Sequence, residues 1–239
     1  MPSRRSRSTR SQEPRGPREH VGPSGFTWHV ELPERASAPM GARKPLAHLH
    51  VSEGEDISVP VPVARKLDAD SELAVDSRAE LLYHAGEVSD ACCWEKLVDL
   101  VSRRDYSTSE MVTRLTREGY SKARAESRVE HACELKIMND AHFAEYFIRA
   151  KVSAGWGPVR IERELSRRGV EAREVEGWSD AFFEDDDIEA RARELLARKS
   201  VPEKNAYAKF VRFLVSRGYP VAVAKDAARA RIHGEEQEF

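Results

Sequence analysis

Pro158-Val159-Arg160-Ile161-Glu162-Arg163-Glu164-Leu165-Ser166-Arg167-Arg168-Gly169-Val170 reads as a helix with its stop written after it. Proline suits a first helical turn, where its missing N–H costs nothing. Ile161 and Leu165 stand four apart on one face, and Gly169 can take the left-handed conformation that ends a helix, with Val170 folding back onto Leu165. The same frame occurs twice more, with glycines at Gly119 and Gly218, fifty and forty-nine residues from Gly169. Met111, Ile161 and Phe210 lie eight residues before the glycine, and Leu115, Leu165 and Leu214 four before it. Tyr120, Val170 and Tyr219 follow it directly. Further upstream, Leu97, Phe147 and Leu196 share one register, and Cys93, Phe143 and Ala192 another. Self-similarity at a fixed period marks a repeat architecture, and such arrays more often present binding surfaces than catalytic pockets.

The rest of the chain divides around this frame. Residues 1–45 are rich in Arg, Ser and Pro with little aliphatic periodicity, which predicts a disordered basic tail. A second reading of that tail is an arm touching nucleic-acid phosphates. Residues 46–88 predict an N-terminal extension. His48 to Val51 and the alternation Ile57, Val59, Val61, Val63 flank an acidic turn, giving a β-hairpin that Pro60 and Pro62 confine to a sheet edge. A helix then begins near Ser77. Three three-helix repeats are expected at 89–138, 139–183 and 184–233, followed by an acidic tail at 234–239. Ser89 or Asp90 is read as opening the first repeat, and Ser107 with Glu110 forms a capping box. Val175, Trp178 and Phe182 are read into a third helix of the second repeat, and Pro202 into the start of a helix in the third. The fold class expected is thus all-α, an elongated tandem array preceded by a short hairpin and helix.

Charge is segregated. The chain has 239 residues and a formal net charge of −2. Residues 1–46 hold nine basic residues against four acidic, 47–88 three against nine, and the remainder 27 against 28. This is not the uniform basic stripe of a dedicated duplex binder. No apolar run approaches the length of a membrane span and no hydrophobic segment follows the N-terminal arginines, so a cytoplasmic protein with no membrane contact is expected. Cys92, Cys93 and Cys133 form neither an even framework nor a C-x-x-C pair and are read as reduced thiols. His48 and His50 point to one face of a strand, with nothing near them in sequence to complete a metal site. The run Glu184-Asp185-Asp186-Asp187 is read as acidic residues favoured by a helix N-terminus. No nucleophile–base pair or ligand cluster recurs, so no enzyme, cofactor or metal is expected.

The run Asn139-Asp140-Ala141-His142-Phe143-Ala144-Glu145-Tyr146, then Gly155-Trp156-Gly157-Pro158-Val159-Arg160-Ile161-Glu162-Arg163-Glu164-Leu165 and Arg168-Gly169-Val170, resembles the central signature of the RecX regulatory proteins. The resemblance covers residues 89–232, with a weaker likeness of the hairpin to an N-terminal extension found in some members. It implies a monomeric modulator of the RecA recombinase that binds the RecA filament on single-stranded DNA. It further implies inhibition of ATP hydrolysis and strand exchange, in DNA repair, recombination and SOS control. The residues expected to face such a filament are Arg103, Arg104, Arg114, Arg117, Lys122, Arg149, Lys151, Arg160, Arg163, Arg167 and Arg168, with Trp156 in the turn beside them. Against this stands the reading that many of these cations solvate helices beside neighbouring Glu. Trp94 and Trp178 are expected in the core. Gly119, Gly169 and Gly218 are expected to act as helix stops. A helix-turn-helix DNA reader and a generic helical scaffold are the alternatives.

Overall fold

A computed structural model describes residues 17–34, 42–178, 182–183 and 185–236. The described residues form two compact units. One combines residues up to Asp99 with Arg114–Arg128, and the other combines Leu100–Thr113 with the residues from Val129 onward.

The first unit corrects the all-α expectation. Four strands, β1 (Glu19–Val21), β2 (Thr27–Glu31), β3 (Leu46–Val51) and β4 (Ile57–Pro60), make an antiparallel sheet in sequence order. Two of them fall in the segment read as a disordered tail. Trp28 gives the physical reason. On β2 it is 1% exposed, stacked at 4.0 Å on His20 of β1, whose Nε2 lies 3.1 Å from Asp68 Oδ1. One large buried ring offsets ordering entropy that a composition average cannot see. The hairpin is present, but its second strand ends at Pro60. Val61–Ala69 is a helix, α1, with proline in its first turn, so the apparent alternation through Val61 and Val63 is a strand running into a helix. Val63, Ala64 and Leu67 of α1 are buried, and the helix packs on β2, β3 and β4.

Helix α2 (Arg78–Val101) runs through the expected boundary at residue 89. Ser89 caps nothing. It is buried, and its Oγ donates to the Ala85 carbonyl at 2.6 Å, a self-satisfied hydroxyl inside a helix. Cys92 and Cys93 are free and buried on this helix, and burial pushes the Cys93 thiol up to about 11. On the outer face of the sheet His50 is drawn above its ordinary pKa chiefly by the Glu31 carboxylate, against slight desolvation, with Asp56 adding to the rise.

Helices α3 (Thr108–Arg117), α4 (Lys122–Glu134), α5 (Asp140–Ser153), α6 (Pro158–Arg167), α7 (Asp185–Ala197), α8 (Ala206–Arg217) and α9 (Val221–Glu236) complete the described elements, with a short 3-10 turn at Ala172–Glu174. Gly119, Gly169 and Gly218 end α3, α6 and α8 at φ of +107°, +75° and +91°. At each, the following residue donates back to the leucine carbonyl: Tyr120 to Leu115 at 3.3 Å, Val170 to Leu165 at 3.0 Å, Tyr219 to Leu214 at 3.1 Å. Each glycine N–H reaches three residues back, completing a Schellman motif. In the first unit a Cβ on Gly119 would stand 2.8 Å from Leu46 Cδ2 and close to Pro60. Beside it the Lys44 N–H donates to the Arg117 carbonyl at 2.8 Å, and the buried Glu118 carboxylate is held by Lys44 at 2.5 Å and Arg114 at 2.9 Å.

The second unit has two apolar clusters. One gathers Phe143, Phe147, Ile148, Ile161, Leu165 and Phe183, and the other gathers Leu196, Phe210, Leu214, Tyr219 and Ala224. Three further expectations are corrected here. Val175 and Trp178 are not helical, because Gly177 sits at φ +70° and turns the chain after the 3-10 turn. Phe182 is buried in a turn rather than a helix. Pro202 does not open α8, which starts at Ala206 after Asn205 at φ +58°. Residues 234–236, read as part of a tail, continue α9, while 237–239 lie outside the described residues. Of the acidic run, Glu184 lies outside them too, and α7 begins at Asp185.

Candidate partner-binding surface

The Gly155-Trp156-Gly157-Pro158 turn of the second unit uses its two glycines differently. Gly155 ends α5 at φ +75°, with Trp156 N–H donating to the Lys151 carbonyl at 2.9 Å. Gly157 has an ordinary φ of −87°, but a Cβ there would overlap the Gly218 carbonyl oxygen. Its absence lets the start of α6 dock on the end of α8. Gly157 N–H donates to Arg217 O at 2.9 Å and Val159 N–H to Gly218 O at 3.2 Å. A parallel junction joins α3 to α6, where Ser107 Oγ donates to Arg168 O at 2.5 Å and Ser109 packs on Gly169.

The turn holds Trp156 half-buried, edge-on to Phe147 with centroids 6.5 Å apart. The Arg160 guanidinium lies 3.8 Å over the indole and Lys151 Nζ 5.1 Å from it. Across the junction, Phe213 of α8 carries Lys199 at 4.2 Å and Arg217 at 5.4 Å. Arg160 Nη1 donates to Ser216 O at 3.4 Å and Arg217 Nη1 to Ala154 O at 3.1 Å, which links the two ring clusters. Among the described residues, none of these four cations has a carboxylate partner. An exposed cation–π contact is worth roughly 0.5–1 kcal/mol, little enough that the cation can be offered to an incoming anion. Rings and unpaired cations side by side suit phosphates, carboxylates and stacked bases.

The other residues singled out in the sequence are dispersed. Arg114, Arg117 and Lys122 belong to the first unit. There Arg114 is tied to Glu118 at 2.9 Å and Lys122 to Glu126 at 3.5 Å. In the second unit Arg103 is exposed and Arg104 lies 3.6 Å over the Tyr106 ring with Glu110 beside it. Arg149 pairs with Glu145 at 2.9 Å, Arg167 with Glu164 at 3.2 Å, and Arg163 is exposed. Arg168 is a tie between elements. It bonds Glu110 at 2.7 Å and Glu164 at 3.1 Å, with its side chain only 26% exposed. Lys199, Phe213 and Arg217 escaped the sequence reading. They meet Trp156 and Arg160 through a junction some sixty residues long, which no local motif announces.

The fold defines the class first: a helix-rich chain with a four-stranded antiparallel sheet, in which three helices end on one glycine motif. Residues 139–176 match the family description "RecX, second three-helix domain". The regulatory protein RecX of Halorhodospira halophila is 30% identical over 159 residues, covering 64% of this chain and 96% of the relative. That of Chromohalobacter salexigens is 37% identical over 129 residues, covering 51% of this chain and 81% of the relative. The chain belongs to the RecX family. A crystal structure of a regulatory protein RecX shares its fold, with a TM-score of 0.51 at 16% identity over 76% of this chain and 91% of the other. Among the described residues no helix is long and apolar enough to cross a membrane.

Proposed function

We propose that this protein regulates the RecA recombinase by binding its filament on single-stranded DNA, and that it lowers ATP hydrolysis and strand exchange. The role lies in DNA repair, recombination and control of the SOS response, carried out by a cytoplasmic monomer without catalytic chemistry or cofactor. The observation that carries this reading is family membership, with a relative named regulatory protein RecX matched over 96% of its length. The filament-facing residues on this reading include Lys151, Trp156, Arg160 and Arg163, joined by Lys199, Phe213 and Arg217. Arg103, Arg104, Arg149 and Arg167 would add dispersed contacts, and Arg114, Arg117 and Lys122 a separate one. The helices form three successive modules near residues 89–138, 139–183 and 184–233. The shared glycine stops and the matching junctions at Gly169 and Gly218 support that division. Several modest contacts on successive modules would act together through effective concentration, so that assembled filament is bound better than free subunits.

The test adds the protein to RecA-catalysed strand exchange and ATP hydrolysis. Wild type is expected to inhibit both. Lys151→Glu with Lys199→Glu is expected to lose inhibition, while Arg167→Glu, which removes a partnered cation, keeps most of it. A filament reaction indifferent to saturating protein would sink the proposal, and tight sequence-selective binding to bare duplex would favour a helix-turn-helix reader.

A further inference from the structure

The open edge of the N-terminal sheet borders a cleft that the regulatory role does not use. The strand order leaves β4 at an edge, with no further strand beside it among the described residues. Hydrogen bonding alternates along an antiparallel pair, so every second residue turns its backbone N–H and carbonyl away from its neighbour. Two observations fix which residue of β4 does so. The Ser52 N–H donates to the Thr27 carbonyl at 2.9 Å, which puts His48 and His50 on the β2 side of the β3 ladder and Ala47 and Leu49 on the β4 side. Their partners Val59 and Ile57 are thereby paired. Pro60, which has no N–H to give, falls in the outward set, where a proline is tolerated. Ser58 is the other member of that set. Among the described residues its N–H and carbonyl have no partner, while its hydroxyl lies 3.2 Å from His48 Nδ1.

Beside Ser58, within the first unit, lies a cleft of about 380 Å³, a size common among ligand clefts. Helix α2 lines it with Leu82, Ala85 and Gly86, and the start of α4 with Ser121 and Arg124. Leu82 is 48% exposed there, an apolar side chain with little against it. The charge is one-sided. Arg43 and Arg124 line the cleft and no carboxylate does. Arg124 is held by its Nε on Asp90 Oδ1 at 2.9 Å, and Arg43 is exposed without a carboxylate partner among the described residues. Helix α4 has no acidic residue in its first turn, so its leading N–H groups add to the same sign.

We propose that this cleft takes an extended acidic peptide of a partner protein as a fifth strand on β4. The added strand lies about 4.8 Å from β4. Its residue opposite Ser58 exchanges two backbone hydrogen bonds with it, an apolar side chain rests on Leu82, and a neighbouring carboxylate meets Arg43. In strand addition the main chain supplies affinity and alternate side chains supply specificity. An unpaired edge is a template that proteins ordinarily blunt. Here Pro60 closes it after one free residue, so a short segment fits and sheet-to-sheet growth does not. A basic segment is refused by Arg43 and Arg124. The proposal is independent of RecA regulation.

The experiment uses the full-length protein and a panel of fluorescent eight-residue peptides that alternate glutamate with valine, isoleucine or phenylalanine, read by fluorescence polarisation. At least one is expected to bind, and its counterpart with lysine in place of glutamate is not. Methylating the backbone nitrogens of the bound peptide should abolish binding, a test that leaves the protein itself untouched. Arg43→Glu should weaken binding about tenfold or more while the circular dichroism spectrum stays native. Lys209→Glu, exposed on α8, should leave it unchanged. Amide exchange gives a second readout. In the free protein the Ser58 N–H should exchange faster than those of Ile57 and Val59, and bound peptide should slow it. Absence of binding across the panel, retained binding of the methylated peptide, wild-type affinity in a folded Arg43→Glu, or Ser58 exchange unmoved by peptide would each overturn the site.

Discussion

Replacing Gly218 by alanine separates a glycine's backbone role from its role as a contact surface. The residue sits at φ +91°, which costs an L-residue about 1–2 kcal/mol. The new Cβ would also overlap Arg160 Cβ and stand 2.5 Å from the Arg160 backbone nitrogen. Backbone cannot swing aside as a side-chain tip does, so the start of α6 must lift. That strains the hydrogen bonds from Gly157 to Arg217 and from Val159 to Gly218, each worth about 0.5–1.5 kcal/mol net. The expected loss is therefore about 2–5 kcal/mol. Gly155→Ala is the internal control. Its φ is +75°, but its Cβ would meet only the flexible end of Leu195, at 3.0 Å, so about 1–2 kcal/mol is expected. Urea unfolding followed by circular dichroism gives both values. Equal losses for the two variants would refute the docking role of Gly218 and leave it only a turn.

Three further outcomes follow from the ion pairs and thiols. Arg168→Ala removes the shared, partly buried partner of Glu110 and Glu164, leaving each with one more exposed arginine, Arg104 or Arg167, and should cost about 1–2 kcal/mol. Arg167→Ala removes a 74%-exposed partner of Glu164 and should stay within about 0.5 kcal/mol, with urea midpoints as the readout. Burial raises the Cys93 thiol from an ordinary value near 9 to about 11, so the native state keeps a proton that the unfolded chain releases. Cys93 therefore contributes stability that is fully present below pH 9 and is lost as pH rises toward 11. The stability of Cys93→Ala should fall less steeply than wild type across that window, and parallel slopes would count against the buried-thiol account. In the native protein Cys133, the one cysteine not fully buried, should react first with a thiol reagent.

What the sequence disclosed and what it hid differ in range. Gly119, Gly169 and Gly218 were legible because a Schellman stop is local: glycine, the next apolar residue and the leucine four back carry all of it. The capping hydroxyl of Ser107 was legible for the same reason, since it accepts from the Glu110 N–H. Strand β2 was not, because its order depends on Trp28 finding His20 and the buried face of a sheet, while the residues around it average to a disordered composition. Gly86 and Ser89 look like a break, yet α2 passes through both, since its apolar face outweighs one glycine and a hydroxyl that bonds its own helix. Trp156 and Arg160 could be named from the turn. Phe213 and Arg217 could not, because only the missing Cβ atoms of Gly157 and Gly218 bring them near. The Glu31 partner of His50 was hidden likewise, in a strand taken for tail.

The contact of Leu46 and Pro60 with Gly119 sets one helix stop apart from the other two. Each of the three stops leaves a flat, side-chain-free plate at the end of a helix. At Gly169 and Gly218 the start of an earlier helix lies on that plate, but α3 has no such predecessor of its own kind. The hairpin supplies a foreign lid there, with Lys44 bonded to the last turn beneath it. In a stack of similar units a terminus left bare is an invitation to a neighbouring molecule. Within the first unit the small sheet thus covers the Gly119 plate, and pairing with a neighbouring molecule through that plate is closed for as long as the sheet stays folded.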